Sequence, residues 1–337
     1  MLEFLRRRWF LVALLILIPL GFVIGFSVEA DQLSKFSGRF AGKASRYGTG
    51  LILFLMSVTL DNRKLLAALR DPGPVIWAVL INFGLMPAAA IPLMRLQLID
   101  DFSVGLMIAA SVPCTMAAAS VWTRKAGGND AVSLLVTIVT NGACFLVTPF
   151  WLKLGIGDAV QLDMAEMVQR LFETALVPIA LGQIIRLHAG ARDVANRGKL
   201  GFGVVAQACI LLLVFWASVQ GGPRLASSSA SATVLPAVGV VWATCIGLHL
   251  FGMLVVFAGA RALGFSKADV AGASFAGSQK TLPIGIYIAT DLLAGRGLPF
   301  AAFPILMFHV SQLILDTMFV DPLKAWIESD APVESAN

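Results

Sequence analysis

Ten apolar stretches follow one another along this chain, at 9–28, 46–60, 74–94, 102–122, 130–152, 171–187, 202–220, 235–260, 268–293 and 299–320, with short polar or basic segments between them. A helix of roughly 20 apolar residues spans the hydrocarbon core of a bilayer. The pattern therefore predicts an all-α, polytopic membrane protein with ten transmembrane helices. Composition agrees: 58% of the 337 residues are hydrophobic and 13% are charged, where soluble domains carry about 25% charge. A disordered chain, a coiled coil and a disulfide scaffold are excluded, and a soluble enzyme is disfavoured.

Ten crossings put both termini on one side of the membrane. With the N-terminus in the cytoplasm, the inner segments hold fifteen of the 25 Lys and Arg residues and the outer ones nine. That bias predicts cytoplasmic termini and a cell-membrane location, and explains the net charge of +5 without nucleic acid. The basic stretch 33–46 runs against the bias. Leu33, Phe36, Phe40 and Ala44 fall there at helical spacing, which predicts a short amphipathic helix lying in the outer interface. Trp9, Trp77, Trp151 and Trp326 stand near span ends as interface anchors. Cys114, Cys144, Cys209 and Cys245 lie in or beside apolar runs without metal-type spacing, and are read as free buried thiols.

The two halves of the chain echo each other. Segments 33–46 and 188–200 are both basic and both lead into Gly-x-Gly, at Gly48/Gly50 and Gly201/Gly203, while Pro19 is matched by Pro178. Five spans per half is an odd number, so two related halves insert in opposite orientations. Inverted repeats with interrupted helices near the midplane are a feature of secondary transporters. The expected division is a first repeat over 1–155 and a second over 156–337.

Polar residues cluster in three spans. The fourth carries Ser111, Pro113, Cys114, Thr115 and Ser120, and its proline opens the helix. The fifth carries Ser133, Thr137 and Asn141 on one helical face, and the third contributes Asn82. The ninth reads Ser278-Gln279-Lys280-Thr281-Leu282-Pro283 inside an apolar stretch, a second break. Lys280 is 13 residues from Lys267 and 13 from Leu293, about 20 Å of helix either way, too far to snorkel. His309 is central to the tenth span. His249 has no acid near it in sequence, and Asp316 reads as a surface carboxylate near the membrane edge. No zinc-protease pair, nucleophile elbow or phosphate loop is present, so no enzyme is expected.

The stretches VPCTMAAASVWTRKAGGNDAVSLLVT (112–137) and FAGSQKTLPIGI (275–286) resemble the bile acid:sodium symporter family, closest to its SBF-like branch with an orphan vertebrate member and bacterial symporters. The resemblance implies ten helices in a 5+5 inverted repeat. Spans 1, 2, 6 and 7 would form a panel, spans 3–5 and 8–10 a core, and spans 4 and 9 would be broken and cross. It places sodium ligands at Asn82, Ser120, Ser133, Thr137 and Gln279, and a span-ten pair at Phe308 and His309. The chain departs from the family at two positions: Phe275 stands where the carriers have a sodium-binding glutamate, and Lys280 where they have asparagine.

The expected function is a secondary transporter moving an organic or other small anion by alternating access. Thr115, Asn141, Lys280, Thr281 and His309 would line its substrate site, with sodium or a proton as coupling ion and no resident cofactor. The alternative is a regulatory or scaffolding membrane protein that keeps the carrier fold without transport.

Overall fold

In an apolar solvent a backbone must satisfy its own N–H and C=O groups, and a helix does so within one segment. The computed structural model describes residues 9–28, 42–61, 70–116, 118–157, 160–227 and 231–329; among these, helices and short connections account for everything and no strand occurs. In chain order the helices are α1 (Trp9–Ser27), α2 (Gly42–Val58), α3 (Gly73–Met94), α4 (Asp100–Ser111), α5 (Ala118–Lys125), α6 (Asp130–Ile156), α7 (Met164–Leu187), α8 (Ala189–Arg197), α9 (Lys199–Ser227), α10 (Ser231–Ala262), α11 (Lys267–Ser278), α12 (Leu282–Tyr287) and α13 (Phe303–Glu328).

Six of them, α3, α6, α7, α9, α10 and α13, are long and apolar enough to cross a membrane. Windows 102–122 and 268–293 each divide into two helices, α4/α5 and α11/α12, separated by extended residues. The expected interfacial helix at 33–46 falls mostly outside the described residues, and from Gly42 onward the chain already belongs to α2. Its basic counterpart is a short helix, α8.

Two sets of helices pack among themselves. In the first, α1 lies along α9, and α2 lies between α9 and α7. The α1–α9 contact is backbone on backbone: a Cβ on Gly25 would stand 2.4 Å from the Val219 carbonyl oxygen, and one on Gly222 would stand 2.5 Å from the Gly25 Cα. In the second set, α11 is enclosed by α10, α6, α3 and α5, and α13 packs on α10, α4 and α5. The turn between α5 and α6 is docked rather than loose. Gly127 takes a φ of +73°, and Asn129 caps α6 through the Ala131 N–H. The Asn129 side-chain amide donates to Asp269 at 2.7 Å, at the start of α11.

Among the described residues, α3 and α7 each contain a π-turn, at Ile81–Leu85 and Phe172–Leu176, and a third, Ile288–Leu292, follows α12 directly. Such a turn widens the helix and frees carbonyls for other donors. In α3 those donors are side chains: Trp151 Nε1 reaches the Phe83 oxygen at 2.6 Å and Lys280 Nζ reaches the Asn82 oxygen, also at 2.6 Å. Trp151 is thus tied to the protein as well as placed near a span end.

Candidate functional site

The two breaks meet. Helix α4 stops at Ser111 because Pro113 brings no N–H, and Val112 is extended at φ −69°, ψ 155°. Helix α11 stops at Ser278, with Gln279 extended at φ −78°, ψ 148°, and Pro283 opens α12. The Thr281 N–H donates to the Pro113 carbonyl at 2.8 Å, joining one break to the other.

A broken helix in a membrane leaves terminal carbonyls that need donors. Helix α6 supplies most of them to the first break. Thr148 donates to the Ser111 oxygen at 2.8 Å and Asn141 to the Cys114 oxygen at 2.8 Å. Thr137 shares its hydroxyl between the Ser133 oxygen at 2.8 Å and the Thr115 oxygen at 3.3 Å. At the second break Asn82 is one of the donors: its amide nitrogen serves the oxygens of Ala276, Gly277 and Gln279 at 3.3, 3.1 and 2.9 Å.

Lys280 is fully buried. Its ammonium has three hydrogens and three oxygens around it: Asn82 O at 2.6 Å, Val112 O at 3.1 Å and Asn82 Oδ1 at 3.2 Å. The Phe83 ring lies 5.9 Å away. One side chain therefore ties the π-turn of α3 to the end of α4 and to the α11–α12 break.

The amide of Gln312 closes the other side. Its oxygen accepts the Lys280 backbone N–H at 2.8 Å, so its nitrogen is the donor to Lys280 O at 2.9 Å and to His309 Nδ1 at 2.8 Å. His309, when neutral, thus carries its proton on Nε2. Two groups passed over in sequence also converge here. Asp316 is completely buried, not a surface carboxylate, and binds His249 Nε2 at 3.1 Å and Gln279 Nε2 at 2.6 Å. His249, although it has no acid near it in sequence, meets this one across 67 positions. A usable signal was the spacing of His309, Gln312 and Asp316, which places three polar groups along one face of an apolar helix.

A cavity of about 340 Å³ lies against the breaks. Thr115, Thr281 and His309 give it polar groups, while Ile52, Leu282 and Ile210 are among its apolar walls. It extends to Trp122 and the exposed Lys125, whose ammonium sits 4.4 Å over the Trp122 ring. Asn141 and Lys280, also expected on the substrate, are not among its lining residues; both serve backbone carbonyls instead. Of the five cation candidates, Asn82, Thr137 and Gln279 stand at the breaks. Ser133 donates to the Asp130 carbonyl of its own helix, and Ser120 accepts from Arg124.

At the opposite end of α12 the two helix sets are joined by side chains. Ser45 of α2 meets Thr290 at 3.0 Å, and Arg170 of α7 pairs with Asp291 at 3.4 Å. Arg46 pairs with Glu173 alongside. Nearer the break, the Thr49 hydroxyl donates to the Pro283 carbonyl at 3.3 Å.

The chain is similar over most of its length to known proteins. The sodium/bile acid cotransporter 7 of Mus musculus is 23% identical over 342 residues, covering 98% of this chain and 96% of its own, and that of Xenopus tropicalis is 24% identical over 343 residues with 98% and 95% coverage. The probable sodium/metabolite cotransporter BASS4, chloroplastic, of Oryza sativa subsp. japonica is 27% identical over 296 residues, 82% of this chain and 68% of its own. The model of the SBF-like CPA transporter family matches residues 8–325, nearly the whole length. The chain is a multi-pass membrane protein and belongs to the SBF-like CPA transporter family.

Proposed function

We propose that this protein is a secondary transporter that moves a small organic anion by alternating access, rather than an enzyme. The observation that carries the reading is the cavity at the junction of two broken helices, mostly apolar but with Thr115, Thr281 and His309 facing it. Carrier sites are built this way, from unwound backbone near the midplane of a repeat interface. A wall rich in aliphatic side chains suits a substrate with an apolar body, and the Nε2–H of His309 suits its anionic group.

On this reading residues 1–155 and 156–337 are inverted repeats of five crossings each, and both termini are cytoplasmic in the cell membrane. The set α1, α2, α7 and α9 is the panel, and α3 to α6 with α10 to α13, the broken spans included, form the core. The Lys125 end of the cavity then faces the cytoplasm, and the Ser45–Thr290 and Arg170–Asp291 contacts close the outer end.

Sodium fits the candidate cation residues poorly. Asn82 Oδ1 is taken by the Lys280 ammonium, Gln279 Oε1 accepts from Thr115 Oγ1 at 2.5 Å, and Phe275 lies in an apolar cluster with Met253, Val320 and Leu323. No carboxylate belongs to the set. A tethered ammonium takes the place of a diffusible cation, so transport is expected to be independent of sodium. The test is uptake by purified protein in liposomes from a panel of labelled organic anions, in sodium and in choline buffer. Saturable uptake equal in both buffers is the expected result. Uptake that vanishes in choline overturns the ammonium reading, and silence across the panel overturns transport.

A further inference from the structure

The buried pair His249–Asp316 is unused by the scheme above, and its hydrogen-bond directions are fixed by its neighbours. His249 Nδ1 lies 3.2 Å from the Ser278 carbonyl oxygen. A carbonyl only accepts, so Nδ1 carries a proton and donates. Nε2 then faces Asp316 Oδ1 at 3.1 Å with both side chains fully buried. A proton must lie between those two atoms, whichever of them formally owns it, because two lone pairs at that distance in a dry interior repel. The pair is therefore neutral as a unit, and Asp316 is not a free counter-charge for Lys280.

Its second oxygen has a task. Asp316 Oδ2 accepts from Gln279 Nε2 at 2.6 Å, which turns the Gln279 oxygen toward Thr115. The Thr115 hydroxyl donates to that oxygen and accepts the Ala119 N–H at 3.2 Å, at the start of α5. We infer that His249 and Asp316 are positioning residues for the transport site: through Gln279 they fix which way the Thr115 hydroxyl points and hold the α4–α5 break against the α11–α12 break. The functional meaning of this inference rests on the transport reading, but its geometry stands without it.

Asparagine at 316 makes the same bonds without a shared proton: its NH₂ donates to His249 Nε2, and its oxygen accepts from Gln279. Leucine fills the volume and makes neither. Cys114, fully buried beside Thr115, reports on the break. In the full-length protein in detergent, modification of Cys114 by N-ethylmaleimide is followed by mass spectrometry. Asp316→Asn should protect Cys114 as the wild type does, and Asp316→Leu should speed its modification at least about tenfold, as loss of a buried hydrogen bond implies. Equal protection in Asp316→Leu, or equal loss in both variants, overturns the inference. A second measurement needs no change at 316. The chain has three histidines, and ¹⁵N spectra of the wild type, with His249 assigned by the signal lost in His249→Gln, should show a protonated Nδ1. A bare Nδ1 at His249 overturns the inference even if Asp316→Leu does not fold. Neither readout requires transport, so a protein silent in every flux assay still decides the matter.

Discussion

Replacing Lys280 by methionine keeps most of the stem and removes the ammonium. Three oxygens, Asn82 O, Asn82 Oδ1 and Val112 O, then lose their donor in a site where Lys280 itself has no exposure. Hydrogen bonds to a charged group contribute about 1.5–3 kcal/mol each, so the gross loss is roughly 5–9 kcal/mol. Against this, a lysine at mid-membrane costs at least about 2.5–3.5 kcal/mol, which the variant no longer bears. The net destabilisation is about 2–6 kcal/mol. By the usual relation between stability and melting temperature for a chain of this length, that lowers Tm by about 3–8 °C. The assay is thermal unfolding of the purified protein in detergent, with helicity checked by circular dichroism and anion uptake measured in liposomes. Helicity should be retained, Tm should fall, and uptake should collapse because the π-turn and both breaks lose their common tie. A Lys280→Met protein with wild-type Tm and uptake would refute the assignment of the ammonium as that tie.

Two further outcomes follow from the same geometry. Asn82→Leu leaves the Ala276, Gly277 and Gln279 carbonyls without their side-chain donor, a loss of about 2–4 kcal/mol visible as a lower Tm, with no rescue by sodium; an unchanged Tm would show that these carbonyls find other donors. Ser45→Cys with Thr290→Cys, whose native hydroxyls are 3.0 Å apart, should cross-link under oxidation and stop uptake, while a cysteine at Thr317 on the cavity stays open to thiol reagents; uptake persisting in the oxidised protein would place the moving surface elsewhere.

The apolar stretches and both breaks were legible because their causes are local: hydropathy sets a span, and Pro113 and Pro283 remove donors where they stand. Lys280 was legible as a charge in an apolar run. Its partners were not, since two of the three are backbone oxygens, and one of those is freed only by a π-turn that no residue in Ile81–Leu85 announces. The substrate role expected of Lys280 and Asn141 shows the same gap: sequence gives a side chain's chemistry but not the carbonyl it will meet. His249 and Asp316 were misjudged for a related reason. Each was weighed against its neighbours in the chain, whereas the relevant neighbour came from another helix.

A machine that alternates between two shapes needs one seam that gives and one that does not. Where Gly25 and Gly222 bring the main chains of α1 and α9 together, no rotamer change can absorb a displacement, and sliding or rolling meets hard overlap at once. That pair behaves as a girder. The boundary of α12 and the π-turn after it with α2 and α7 is of another kind, made of the side chains of Ser45, Thr49 and Arg170 reaching across to single partners. If the protein transports as proposed, travel is confined to the second boundary, and the girder serves as the fixed rail against which it is measured.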